Sequence, residues 1–110
     1  MTIEETIREQ IAQHPVLLYM KGVPDMPQCG FSAKAVGCLQ AAGVPFAYVN
    51  ILAAPMIREK LPSISMWPTF PQLFVAGELV GGSDIVDELA QKGELKPMLE
   101  QAVASQPAAG

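Results

Sequence analysis

Isoleucines at positions 3, 7 and 11 recur every fourth residue among polar neighbours, which is the spacing of one helix face. Thr2, with Glu5 three residues on, has the pattern of a capping box, so an amphipathic helix is predicted over 3–13, ended by Pro15. Val16-Leu17-Leu18-Tyr19-Met20 has no polar side, as expected of a central strand covered by helices on both faces. Residues 21–28 contain Gly22, Pro24 and Pro27, too many breakers for a regular element, and read as a loop leading to Cys29. Good helix formers follow from Phe31 to Ala42, with Gly43 placed to close the helix. A strand is expected over 46–51, and strand, helix and strand in that order make a right-handed unit with its two strands parallel. Pro55 opens a short helix 55–61 that Pro62 stops. Residues 72–75 and 78–81, joined around Ala76-Gly77, read as a hairpin, which makes the other half of the sheet antiparallel. Ser83 is placed to cap a helix over 84–92 closed by Gly93, and Leu95, Met98, Leu99 and Val103 mark a last helix. The order αβαβαββαα belongs to the α/β class, with a four-stranded mixed sheet flanked by helices.

With 110 residues, 50% hydrophobic and 16% charged, the chain fits one domain, expected over 1–104, and a flexible tail over 105–110. Two cysteines and one histidine cannot complete a four-ligand zinc or iron–sulfur site, so any cluster must borrow thiolates from outside. His14, before Pro15 at a helix end, reads as a capping or solvent-facing side chain rather than a ligand. A net charge of −4, with seven Lys and Arg scattered along the chain, argues against general nucleic-acid binding. No stretch approaches the roughly 20 apolar residues of a membrane span. The start, Met1-Thr2-Ile3-Glu4-Glu5, is acidic and helix-like, the opposite of a signal peptide's basic beginning, so the cytoplasm is expected and the cysteines stay reduced there.

Cys29 stands where a Pro-rich loop meets a helix N-terminus. Free backbone N–H groups and the helix dipole at that place stabilise a thiolate, which makes the sulfur both nucleophile and soft ligand. A cysteine can also be just a small buried hydrophobe, and Cys38, beside Ala35, Leu39 and Ala42, is read that way. The two lie nine residues apart on one helix, roughly 13 Å by the helical rise, whereas a disulfide needs Cα atoms within about 7 Å. Three residues after Cys29, where a redox C-x-x-C has its resolving thiol, the chain has Ser32, so an intramolecular dithiol cycle is excluded.

Cys29-Gly30-Phe31-Ser32 resembles the signature of the monothiol, CGFS-type glutaredoxins, which have a thioredoxin-like fold. The likeness extends to Lys21-Gly22 before the loop, to Trp67-Pro68-Thr69-Phe70-Pro71-Gln72-Leu73 and to Gly81-Gly82-Ser83-Asp84, in order, over residues 3 to about 100. It implies a glutathione groove beside Cys29. In that groove Lys21 and Arg58 meet the glycine carboxylate, and Phe70, before a cis-proline at Pro71, offers its backbone to the peptide. Ser83 and Asp84 take the γ-glutamyl end. Trp67-Pro68 resembles a feature of the monothiol class, and Trp67 reads equally well as a packing residue. Many CGFS proteins have a second cysteine where this chain has Ser83, so a disulfide from Cys29 to that position is unavailable here.

Two functions follow from the resemblance. One is a carrier: a Cys29 thiolate and a glutathione thiolate from each of two protomers complete the four ligands of a [2Fe–2S] cluster shared in a homodimer, for transfer to apo iron–sulfur proteins. The alternative is a glutathione-dependent oxidoreductase that removes glutathione from proteins through Cys29. The CGFS class lengthens the segment before its cysteine, here residues 22–28, which implies weak reductase activity and favours the carrier. Family members also pair with BolA-like proteins, so such a partner is expected.

Overall fold

A computed structural model describes residues 1–105. Of the tail expected over 105–110, Ser105 instead ends the last helix, and 106–110 lie outside the described residues. The elements are α1 (Ile3–Gln13), β1 (Val16–Met20), β2 (Gly22–Val23), β3 (Met26–Pro27), α2 (Gly30–Ala42), β4 (Ala47–Asn50), α3 (Pro55–Ser65), β5 (Gln72–Val75), β6 (Glu78–Gly81), α4 (Ser83–Gln91) and α5 (Leu95–Ser105). Four strands form one sheet in the order β4-β1-β5-β6. β1 runs parallel to β4 and antiparallel to β5, which pairs antiparallel with β6. Among the described residues no helix is long and apolar enough to cross a membrane.

β1 is buried along its whole length because both faces of the sheet are covered. Val16, Leu18 and Met20 point into one core with Leu73 and Val75, covered by Ala35, Val36 and Leu39 of α2, Val86 of α4, and Leu95 and Leu99 of α5. Leu17 and Tyr19 point the other way, onto Phe74, Ile7 of α1, and Ile57 and Leu61 of α3. Thr2 and Glu5 make the expected capping box at α1.

Three expectations are corrected. Residues 21–28 are not simply a loop: β2 and β3 pair as a short antiparallel ribbon, closed by the Gln28 N–H donating to the Lys21 carbonyl at 2.9 Å. Pro62 does not stop α3, which runs on to Ser65 and ends where Met66, in the left-handed conformation, donates its N–H to the Pro62 carbonyl. Packing of Ile64 against the α1/α3 core outweighs the one backbone hydrogen bond that proline removes. Ser83 is the first residue of α4 rather than its cap; Gly82 occupies the cap position and no side chain caps the helix.

Candidate functional site

Cys29 is the N-cap residue of α2 and makes no capping bond with its side chain. The backbone N–H of Ser32 chiefly, and that of Phe31, hold its thiol below the ordinary range against the opposing effect of burial, helped by the Lys21 ammonium and the Ser32 hydroxyl. The fold pins Lys21 beside this sulfur. Its N–H donates to Ser32 Oγ at 3.0 Å, and its carbonyl accepts from Gln28, so residues on either side of Cys29 grip the end of β1. Ser32 is fully buried; besides lacking a second thiol, it ties β1 to α2. Cys38 is the contrasting case. Burial first, then the Asp87 carboxylate, raise its thiol, and its Sγ lies 3.9 Å from Asp87 Oδ1, away from the groove.

Five stretches of chain line one groove of about 580 Å³ at Cys29: Lys21; the start of α2; Arg58 and Pro62 on α3; residues 67–71; and residues 82–85 at the start of α4. All six candidate residues, Lys21, Cys29, Arg58, Phe70, Ser83 and Asp84, are brought together there. Phe70-Pro71 is a cis peptide. Phe31, 62% exposed, stands at the apolar rim with Ile85. Among the described residues Lys21, Arg58 and Asp84 make no ion pair, whereas Arg8, Lys34 and Lys92 each have a carboxylate partner. The Ser83 side chain is buried and its hydroxyl has no partner within the described chain. Two free cations, a free carboxylate and a helix N-terminus thus face one cleft beside a stabilised thiolate. The arrangement suits a small zwitterionic ligand carrying more than one carboxylate.

The glutaredoxin family matches residues 16–80, and the probable monothiol glutaredoxin GrlA of Legionella pneumophila is 67% identical over 89 residues, 81% of this chain and all of that protein. The chain belongs to the monothiol glutaredoxin family. Glutaredoxin 4 of Escherichia coli K12 is 57% identical over 103 residues, 94% of this chain and 90% of that one. Reduced apo GrxS14 of poplar has the same fold, with a TM-score of 0.80 at 43% identity over 94% of this chain and 95% of that one.

Several residues of this glutaredoxin groove were not singled out by sequence reasoning. Pro62 and Ile85 line it with nothing in their local pattern to mark them, and Thr69 and Gly82, which fall within the motifs of the family likeness but were given no role there, line it too. A Cβ on Gly82 would come 3.3 Å from the Pro71 carbonyl oxygen and 3.5 Å from Trp67 Nε1, so glycine lets α4 approach the segment 67–71. Gln72 left a signal that could have been read: it is a polar residue opening an apolar strand.

Proposed function

We propose that this protein, acting as a single glutaredoxin domain, binds glutathione in the groove and carries a [2Fe–2S] cluster between two protomers, for delivery to apo iron–sulfur proteins. The observation that carries the reading is the stabilised Cys29 thiolate beside unpaired Lys21 and Arg58, with no second thiol within reach. Lys21 and Arg58 meet the glycine carboxylate of glutathione. The Phe70 backbone pairs with its peptide unit as a short added strand would, and the start of α4 with Ser83 receives the γ-glutamyl carboxylate while Asp84 takes the ammonium. The tripeptide's own thiol then lies next to Cys29.

The donor chemistry fits such a cargo. Among the described residues no three His, Cys, Asp or Glu side chains are grouped to hold a metal, so each chain contributes the soft Cys29 sulfur and borrows a second from glutathione. Four thiolates are complete only when two protomers meet. Because half of these ligands are held without covalent bonds, the cargo is releasable. A BolA-like protein and apo iron–sulfur proteins are the partners this reading implies, and the cytoplasm, where thiols stay reduced, is its setting.

Anaerobic purification tests the proposal. The expected product is coloured, contains about two iron, two sulfide and two glutathione per pair of protomers, and scatters light as a dimer that becomes monomeric when the iron is chelated. Cys29→Ser abolishes the colour and Cys38→Ser retains it. A colourless wild type, or colour that survives Cys29→Ser, overturns the reading.

The lowered Cys29 thiol also favours a second reading. Its thiolate attacks the glutathionyl sulfur of a modified protein, releasing the protein thiolate and forming a mixed disulfide. A second glutathione thiolate then yields glutathione disulfide and restores Cys29. The β2–β3 ribbon occupies the segment lengthened in the CGFS class, and turnover is expected to be slow on that ground.

A further inference from the structure

Polar side chains are buried at three places among the described residues: Ser32, Gln72 and Ser83. Ser32 ties β1 to α2 and Ser83 lines the groove at the start of α4, whereas Gln72 does not line it. Gln72 is fully buried at the start of β5, opposite Tyr19 in the sheet register. Its Nε2 donates to the Trp67 carbonyl at 2.9 Å and to the Thr69 carbonyl at 3.1 Å, while its Oε1 is buried with no partner. An apolar residue of the same length would fill this space without stranding an acceptor, so packing alone does not explain a glutamine.

The two carbonyls belong to the segment 67–71, which forms one wall of the groove. That wall is neither helix nor strand, and Pro68 and Pro71 have no N–H to donate. Among the described residues, its other hydrogen bond is from the Trp67 N–H to Ser65 Oγ at 3.3 Å. Gln72 therefore supplies the two best hydrogen bonds holding the wall.

We propose that Gln72 is a positioning residue of the groove, whose buried amide clamps the carbonyls of Trp67 and Thr69 and so fixes the wall that presents Phe70 to a bound glutathione. This rests on the glutathione reading above. Gln72 touches no ligand; it acts by keeping the wall in its binding shape, and a wall in that shape one-tenth of the time binds about tenfold more weakly.

The experiment compares the wild type with Gln72→Met, which keeps the length of the side chain and removes both donors. S-methylglutathione is the probe, because it retains the carboxylates and the ammonium and cannot form a disulfide. Affinity is measured by chemical-shift titration. Trp67 is the one tryptophan of the chain, so intrinsic fluorescence reports on the wall without any ligand. The expected result is affinity about tenfold lower and Trp67 emission shifted to the red, well below the melting temperature of the variant. Gln72→Asn keeps the amide but is one methylene short, and is expected to fall between the two; it reads the same quantities if the methionine variant does not fold. A lowered melting temperature with unchanged affinity and emission makes Gln72 a stability residue only and overturns the inference. Failure of the wild type to bind S-methylglutathione overturns the glutathione reading itself; changed emission in the variant would then still mark the clamp, but not a binding role.

Discussion

Cys29 is the residue just before α2 and Cys38 lies in that helix's third turn, and their surroundings move the two thiols in opposite directions. Because the thiolate is the reacting species, a lowered pKa brings reactivity in at lower pH. Iodoacetamide is therefore expected to label Cys29 well before Cys38 near neutrality. The rate at Cys29 rises below the pH of an ordinary thiol, about 8.5, and that at Cys38 above it. Peptide mass spectrometry across a pH series measures both curves, and equal labelling near pH 7 contradicts the assignment. Arg58 is exposed on α3 and makes no ion pair among the described residues. Arg58→Ala is expected to weaken glutathione binding about tenfold, the equivalent of one charge-assisted hydrogen bond. Under the proposed cluster-carrying reading the loss is felt once per protomer, so colour is expected to fade faster and added glutathione to slow the fading, a rescue that Cys29→Ser cannot show. Identical decay in Arg58→Ala and wild type would make Arg58 an ordinary surface charge.

The β2–β3 ribbon brings the chain from Lys21 round to Cys29, and its geometry turns on Gly22. That residue has a φ of +92°, and a Cβ there would lie 2.7 Å from both the Gln28 nitrogen and the Met26 oxygen. Its N–H also donates to Asn50 Oδ1 at 2.9 Å, fastening the ribbon to the end of β4. Gly22→Ala is expected to destabilise the protein by about 2 kcal/mol or more and to lower Tm by about 8 °C. Because the ribbon also sets the Lys21–Gln28 bond, Cys29 labelling should change in the same variant. Calorimetry and alkylation rates check the two effects, and a variant with wild-type values in both would show that the ribbon accommodates a side chain. α2 is held at its start by Ser32 and along its length by Lys34, whose Nζ lies 3.4 Å from Asp87 Oδ2 on α4. The two helix N-termini that face the groove therefore belong to helices tied to each other.

In the molecule as a whole, the sheet is the frame on which both cores are built, and Tyr19 lies in it between α1 and Phe74. Its hydroxyl donates to Gln10 Oε1 at 2.8 Å, its ring meets Phe74 edge-on at 5.7 Å, and burial pushes its pKa well above the ordinary value. The unfolded chain begins to lose this proton near pH 10 while the folded chain keeps it, so folding stability from this group is complete below about pH 10 and declines as pH rises further. Urea unfolding at about pH 9 and pH 11 should show that decline, and Tyr19→Phe should flatten it; equal slopes in both proteins would place the alkaline loss elsewhere. The sequence by itself determined α1, β1, the hairpin and the position of Cys29 at a helix start, because the four-residue spacing of Ile3, Ile7 and Ile11, the apolar run 16–20 and the Pro-rich approach to Cys29 are properties of neighbouring residues. Only the tertiary structure decided that Gln28 would return to pair with Lys21, that Ile64 would carry α3 past Pro62, and that Gly82 would let α4 close against the segment 67–71. The reach of Gln72 from β5 back to Trp67 and Thr69 was likewise decided there. Each of these depends on where strands and helices pack against one another, and the local pattern of hydrophobic and polar residues does not record contacts between segments that meet only when the sheet has formed.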